Sequence, residues 1–350
     1  MTTLLSSGHT ESVLSVDVSS DGKLIASGGE GGEICAWSIE GTLLHKSVHP
    51  DTDCTSVCFA SLSNNLYVST EDKIIIYDIR NLSQPVETLS GNQEEINQLV
   101  LDEKEKFLGA CDDSGEIKIF DLQEKRVYKT LRHKHTNICA TACFRPKKPW
   151  EIFTGGLDSK LIHWDFSRPK CLNQYNMQEL QSNTSDTETY MVNPPFLHHL
   201  AASKNGKYLV GALENGILAV FDSSRKNIRE VFSLYAHSQG VSQVHFVSDT
   251  KVLSGGNDCS IVLWDLEKSV STETENDGTQ APAVNGGSEA ANGSTQSHDA
   301  QNESVSHACK VTEIQHTGKI NWMKPFLNNG CQHLAIADQS SNVTIMPLSI

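Results

Sequence analysis

No window of the 350-residue sequence approaches the roughly 18 consecutive apolar residues that a membrane-spanning helix needs. The first ten residues, Met1 to Thr10, have neither the basic start nor the apolar centre of a secretory leader, so an intracellular protein, cytoplasmic or nuclear, is expected. Basic residues are scarce: 28 Lys and Arg against 43 Asp and Glu give a formal net charge of -15. That balance repels a phosphate backbone and makes nucleic acid a poor partner. There is no Cys-x-x-Cys pair, and Cys35, Cys54, Cys58, Cys139 and Cys143 lie in apolar runs, the pattern of buried reduced thiols. The glycine signatures of phosphate loops, the His-Glu-x-x-His zinc helix and the nucleophile elbow are all missing. No enzyme activity, cofactor or metal is therefore expected. The Asn-x-Ser/Thr sequons at Asn81, Asn183, Asn292, Asn302 and Asn342 serve only in a secretory protein and are read as chance.

What is present is a repeat. An aromatic residue closing a β-branched run, usually followed by Asp, recurs at Trp37, Tyr77-Asp78, Phe120-Asp121, Trp164-Asp165, Phe221-Asp222 and Trp264-Asp265. The period is about 40 to 45 residues, that of four-stranded propeller blades. It stretches between Trp164 and Phe221, and again before a seventh unit in which Met346 takes the aromatic position, so insertions must lie there. Within the units apolar residues alternate, as in VLSVDV from Val13 and VSQVHF from Val241, which predicts short strands and negligible helix. Ser20-Asp21-Gly22, Asn205-Gly206 and Asp258 supply turn chemistry between them.

Two units carry a fuller set: His135, Thr154, Asp158 and Trp164 in the fourth, and His237, Ser254, Asp258 and Trp264 in the sixth. This pattern resembles the WD-repeat family over nearly the whole chain. The resemblance implies an all-β fold, a single seven-bladed WD-repeat β-propeller spanning residues 1–350. The N-terminal strand, within Thr2 to Ser6, would complete the last blade and remove a free sheet edge. It also implies that each set of four forms a buried hydrogen-bond chain, stabilising only if every member finds a partner. Asn92 and Asn193 stand in place of His, Ser114 in place of Asp, and the second unit has a shortened turn at Glu71-Asp72-Lys73. Those blades are expected to be less rigid. His9, His49, His135, His237 and His316 share one repeat position and read as structural, while adjacent His198 and His199 would point to opposite faces of a strand and cannot chelate one metal.

Two segments break the period. Residues 268–306, without an aromatic and rich in polar and small residues, are expected to be a disordered insertion. Residues 172–192 are a smaller insertion whose Tyr175, Met177, Leu180, Tyr190 and Met191 leave open docking on the propeller or a loose loop. Lys125, Arg126, Lys129, Arg132, Lys134, Arg145, Lys147 and Lys148 form a basic run, read as a solvated blade edge or a dock for an acidic protein.

The sharpest motif is Tyr77-Asp78-Ile79-Arg80. It resembles the WDxR box of substrate receptors that dock on the damage-specific DNA-binding adaptor of cullin-4 ubiquitin ligases, with Tyr77 in the Trp position. The resemblance implies that Arg80 lies on the bottom face and contacts the adaptor, and that the partners are that adaptor and an unknown substrate held by a monomeric propeller. Trp164-Asp165-Phe166-Ser167-Arg168 is a second match, offset by one residue. A scaffold or a reader of basic peptides or histone tails, independent of any ligase, is the competing expectation.

Overall fold

The computed structural model describes residues 2–182, 194–269 and 298–349. The alternating runs form seven four-stranded antiparallel sheets among these residues. Blade one is β2 (Val13–Val18), β3 (Leu24–Gly29), β4 (Glu33–Ser38) and β5 (Leu43–Val48), and blade two is β6 (Val57–Phe59), β7 (Asn65–Thr70), β8 (Lys73–Asp78) and β9 (Glu87–Ser90). Blade three is β10 (Ile96–Leu101), β11 (Phe107–Asp112), β12 (Ile117–Asp121) and β13 (Arg126–Leu131); blade four is β14 (Cys139–Phe144), β15 (Glu151–Gly156), β16 (Lys160–Asp165) and β17 (Lys170–Asn176). Blades five and six follow as β18 (Leu197–Ala202), β19 (Tyr208–Leu213), β20 (Ile217–Asp222) and β21 (Arg229–Tyr235), then β22 (Val241–Phe246), β23 (Lys251–Gly256), β24 (Ser260–Asp265) and β25 (Lys310–Gln315). Blade seven joins β26 (Ile320–Asn328), β27 (Cys331–Asp338) and β28 (Val343–Pro347) to β1 (Thr3–Leu5). The pairing of Thr3 with Ile345 and Leu5 with Val343 closes the ring as the pattern implied.

Burial follows strand position. The second strands β11 and β19 are buried along their whole length, because another blade covers each face, whereas the outer strands β5 and β25 alternate towards solvent. The apolar core is accordingly layered between blades. Leu5, Val13, Trp37 and Val343 fuse blade seven to blade one, and Tyr208, Val210, Val244 and Trp264 fuse five to six. Since neighbouring strands are antiparallel, the turns after the first and third strands of each blade emerge on one face, here the lower. The remaining turns form the upper face.

Two α-helices among the described residues depart from the expected absence of helix. After β17, α1 (Met177–Ser182) turns Met177 into the layer between blades four and five, and the Tyr175 hydroxyl donates to the Ile228 carbonyl at 2.9 Å. The smaller insertion is thus partly built structure, and its residues 183–193 lie outside the described residues. In the larger insertion, residues 270–297 lie outside the described residues, but α2 (His298–Cys309) corrects the expected boundary at Ser306. Val305 and Cys309 enter the layer between blades five and six, and the Ser306 hydroxyl accepts the Tyr235 N–H at 2.9 Å. The helix therefore covers the free edge of β21, where exposed strand groups would invite pairing with another chain.

Candidate functional site

The tetrads of blades four and six are continuous relays. The Trp164 indole N–H donates to Thr154 Oγ1 (2.9 Å), which lies 2.9 Å from His135 Nε2, and His135 Nδ1 meets Asp158 at 3.0 Å. Blade six repeats this with Trp264, Ser254, His237 and Asp258 at 2.9, 2.8 and 2.9 Å. Each Asp also accepts a backbone N–H from the loop after its histidine, Thr136 or Ser238, both at 2.9 Å. These eight side chains brace the blades and face no opening.

Blade one is more complete than its sequence indicated. Trp37 donates to Ser27 at 3.0 Å, and Ser27 lies 2.7 Å from His9 Nε2, while Glu33 takes the acidic role for Thr10. Blade three corrects the expectation of a broken set. Asp112, fully buried and two residues before Ser114, accepts the Asn92 amide at 2.8 Å together with the Ser114 N–H at 3.1 Å. Asp112→Ala is therefore expected to cost about 1 to 3 kcal/mol, as Asp258→Ala does, by stranding buried donors. Ser114→Ala should cost less, about 1 kcal/mol, since its hydroxyl bonds to Asp112 and the Glu116 N–H lie at a part-exposed turn and the Glu116 N–H keeps Asp112 as acceptor. Denaturant unfolding of the three variants checks this, and an Asp112 variant as stable as the parent would contradict it.

The Asp that follows each third strand acts locally, its carboxylate accepting the N–H two residues on. This holds for Asp78 with Arg80 (2.9 Å), Asp121 with Gln123 (3.0 Å), Asp165 with Ser167 (3.0 Å), Asp222 with Ser224 (2.9 Å) and Asp265 with Glu267 (3.2 Å). Among these five turns only blade two places a cation at the second position. The intervening Ile79 packs inward, so Arg80 projects from the lower face with its side chain 71% exposed. Its Nε–H returns to the same carboxylate at 2.9 and 3.2 Å, and an Nη2 hydrogen completes the fork. The Arg80 hydrogen bonds hold the Asp78 carboxyl down at about 2.

Tyr77 does not reach the surface. It is 3% exposed, its hydroxyl lies 3.2 Å from His49 Nε2, and so it positions the turn without meeting a partner. A phenol carries its polar group at the ring's far end, which explains why Tyr77 joins His49 directly while Ser69 is bonded to Thr55 and the Ser56 N–H.

The basic run is not one patch. Lys125 precedes β13 and pairs with Glu87 of blade two, Arg126 approaches Glu124 at 4.0 Å, and Lys147 and Lys148 sit on the turn after β14, all at the lower face with Arg80. Arg132 and Lys134 belong to the upper face. Arg145 is buried, binding Glu151 and the carbonyls of Ser223 and Arg225, and is structural. His198 pairs with Glu214, whereas His199 turns into the axial channel. Among the described residues no group of His, Cys, Asp or Glu could hold a metal ion, and no helix is long and apolar enough to cross a membrane.

One device escaped sequence reasoning. At a fixed phase of the first strands, polar side chains accept a backbone N–H from the next blade: Ser56 from Leu99 (3.0 Å), Gln98 from Ala142 (2.9 Å), Thr141 from Leu200 (3.0 Å) and His199 from Val244 (3.4 Å). A β-bulge just before Gln98, Thr141 and His199 aims them across the gap. The visible signal was a polar residue recurring in an apolar strand. Two residues on, Asp17, Cys58, Cys143, His245 and Lys324 line the lower half of the channel.

Comparison with known proteins fits this geometry. Residues 2–38 and 228–265 match the family model described as WD domain, G-beta repeat. The chain is 30% identical over 291 residues to the WD repeat-containing protein 53 homolog of Dictyostelium discoideum, covering 76% of this chain and 78% of that protein. It is 25% identical over 167 residues to the pre-mRNA-splicing factor cwf17 of Schizosaccharomyces pombe, covering 47% of this chain and 48% of that one. The crystal structure of the WD40 β-propeller domain of Doa1 superposes with a TM-score of 0.71 at 15% identity, covering 98% of this chain and 95% of that one.

Proposed function

The chain belongs to the WD-repeat family, and from that premise we propose that this protein-interaction scaffold is a substrate receptor docked on the damage-specific DNA-binding adaptor of a cullin-4 ubiquitin ligase. The reading is carried by one observation: of the five Asp-capped lower turns, blade two alone presents an arginine at the second position after the Asp, pinned by its own Asp78 and turned towards solvent. Lys125, on the same lower face, is anchored to blade two through Glu87. A cation held in place before binding loses little side-chain freedom on binding, so more of its interaction energy remains.

On this reading the upper face, opposite Arg80, holds the substrate. Its loops carry Glu30, Asp53, Glu71, Glu95, Asp113 and Glu214, against Arg132, Lys134 and Lys319 as their cations among the described residues. That polarity favours a basic segment as substrate. It equally favours the second reading, a scaffold or histone-tail reader without a ligase. Affinity purification of the intact chain with peptide identification separates them: recovery of cullin-4 and its adaptor is expected, and their absence would leave the scaffold reading.

A further inference from the structure

The axial channel is divided at mid-height. Trp322 lies between an upper vestibule and a lower chamber of about 530 Å³, its ring near-perpendicular to that of His199 with centroids 5.8 Å apart, and His199 is tilted against His245 at 4.9 Å. Phe59, Phe144 and Phe246 give the chamber apolar walls, and its open mouth faces downward, on the side of Arg80. Asp102, Glu103 and Glu105 stand at that mouth and Asp17 within. The lining contains one cation, Lys324, and it is committed to Asp17 at 2.7 Å. Burial keeps His199 and His245 uncharged at neutral pH. Glu105 is half used: Oε1 accepts the N–H groups of Ser61 and Leu62, whereas Oε2 is buried from solvent and accepts nothing.

We propose that this chamber is a socket for a single arginine or lysine side chain projecting from a partner protein. Low-dielectric walls focus the field of the rim carboxylates into the cavity. A long aliphatic stem would lie on the phenylalanine walls while its cation stays within the field of Asp102, Glu103 and Glu105. Outside the mouth the lower loops carry Arg80, Lys125, Lys148, Lys204 and Arg225. The fitting partner surface is therefore acidic overall with one protruding basic residue. The inference rests on the reading of the lower face as the docking face, and stands whether or not the cullin-4 adaptor is the occupant.

The test titrates the purified full chain with acetyl-Gly-Arg-Gly-amide, its lysine counterpart and the uncharged citrulline counterpart, followed by ligand-observed NMR. At least one cationic peptide should bind saturably, with the citrulline peptide at least about tenfold weaker. Glu105→Gln, which keeps an acceptor for the Leu62 N–H, and the rim variant Glu103→Gln should each weaken the cationic peptide several-fold. Arg80→Ala should leave it unchanged, so that failure of the socket and failure of the Arg80 contact are told apart. Equal binding of citrulline, full binding by both Glu variants, or no binding of either cationic peptide would overturn the proposal.

Discussion

Lowering the pH from 6.5 to about 4 should destabilise the fold by about 3 kcal/mol for each of two imidazoles, His9 and His199. Burial pushes both from the ordinary 6.5 down to about 4; at His9 the Glu33 carboxylate opposes the shift and Lys46 adds to it. His9 Nδ1 has no hydrogen-bond partner, with the Glu33 carboxylate at 3.7 Å, and His199 Nδ1 accepts the Val244 N–H, so burial outweighs what either ring would gain from a second proton. In the unfolded chain both titrate near 6.5. Between 6.5 and 4 the unfolded state therefore binds protons that the folded state refuses, and stability falls with pH. The slope fades over about one pH unit above 6.5, as the unfolded imidazoles lose their protons. The acids Asp158, Asp258 and Asp338 separate cleanly from this window. Burial alone would raise them, but their histidine and other hydrogen bonds hold them below 3.8, so their contribution is lost only at lower pH. Urea unfolding from pH 7 to pH 4 reads the slope. His9→Gln and His199→Gln should each flatten it, and a parent with no slope in that window would contradict the burial argument.

The second large effect is at Arg80. A guanidinium has five donors in a planar fork, and Asp78 engages Nε–H and one Nη2 hydrogen, leaving three for a partner. If those meet acceptors in a desolvated interface, Arg80→Ala strands them and costs about 2 kcal/mol or more, at least about 30-fold in affinity. Arg80→Glu should be worse, because it sets a second carboxylate beside that of Asp78 and reverses the local field. Neither change should disturb the fold. The side chain is mostly exposed, and the turn is held by the backbone N–H that any residue supplies. Arg168→Ala is the matched control, since Ser167 occupies the second position of its turn.

Much of this architecture was legible because its determinants are local. The residues of the blade four and blade six relays, and the Asp at the end of third strands, recur at a fixed period, so spacing located them. Their hydrogen-bond chain and the N-terminal closure were implied by the resemblance to the WD-repeat family. What spacing could not reveal is contact between residues remote in sequence. Asp112 substitutes for the expected acid at Ser114 because Asn92, shorter than histidine, needs a partner on the strand itself. The basic run is one segment in sequence, yet its strand and turns carry it from the lower face to the upper and back, and Arg145 is consumed inside. Helix α2 was hidden by composition: apolar Val305 and Cys309 suffice to dock a short helix on a strand edge that the chain presents far earlier. The inter-blade relay joins Gln98 to Ala142 and Thr141 to Leu200, pairs that no single repeat contains.

The central claim is that Arg80 docks this propeller on the cullin-4 adaptor, and direct titration of the purified adaptor into the purified full chain tests it. Saturable binding is expected for the parent and for Arg168→Ala, a loss of at least about 30-fold for Arg80→Ala, and a larger one for Arg80→Glu, at unchanged melting temperature. A parent that does not bind the adaptor, or Arg80 variants that bind it as the parent does, would contradict the claim.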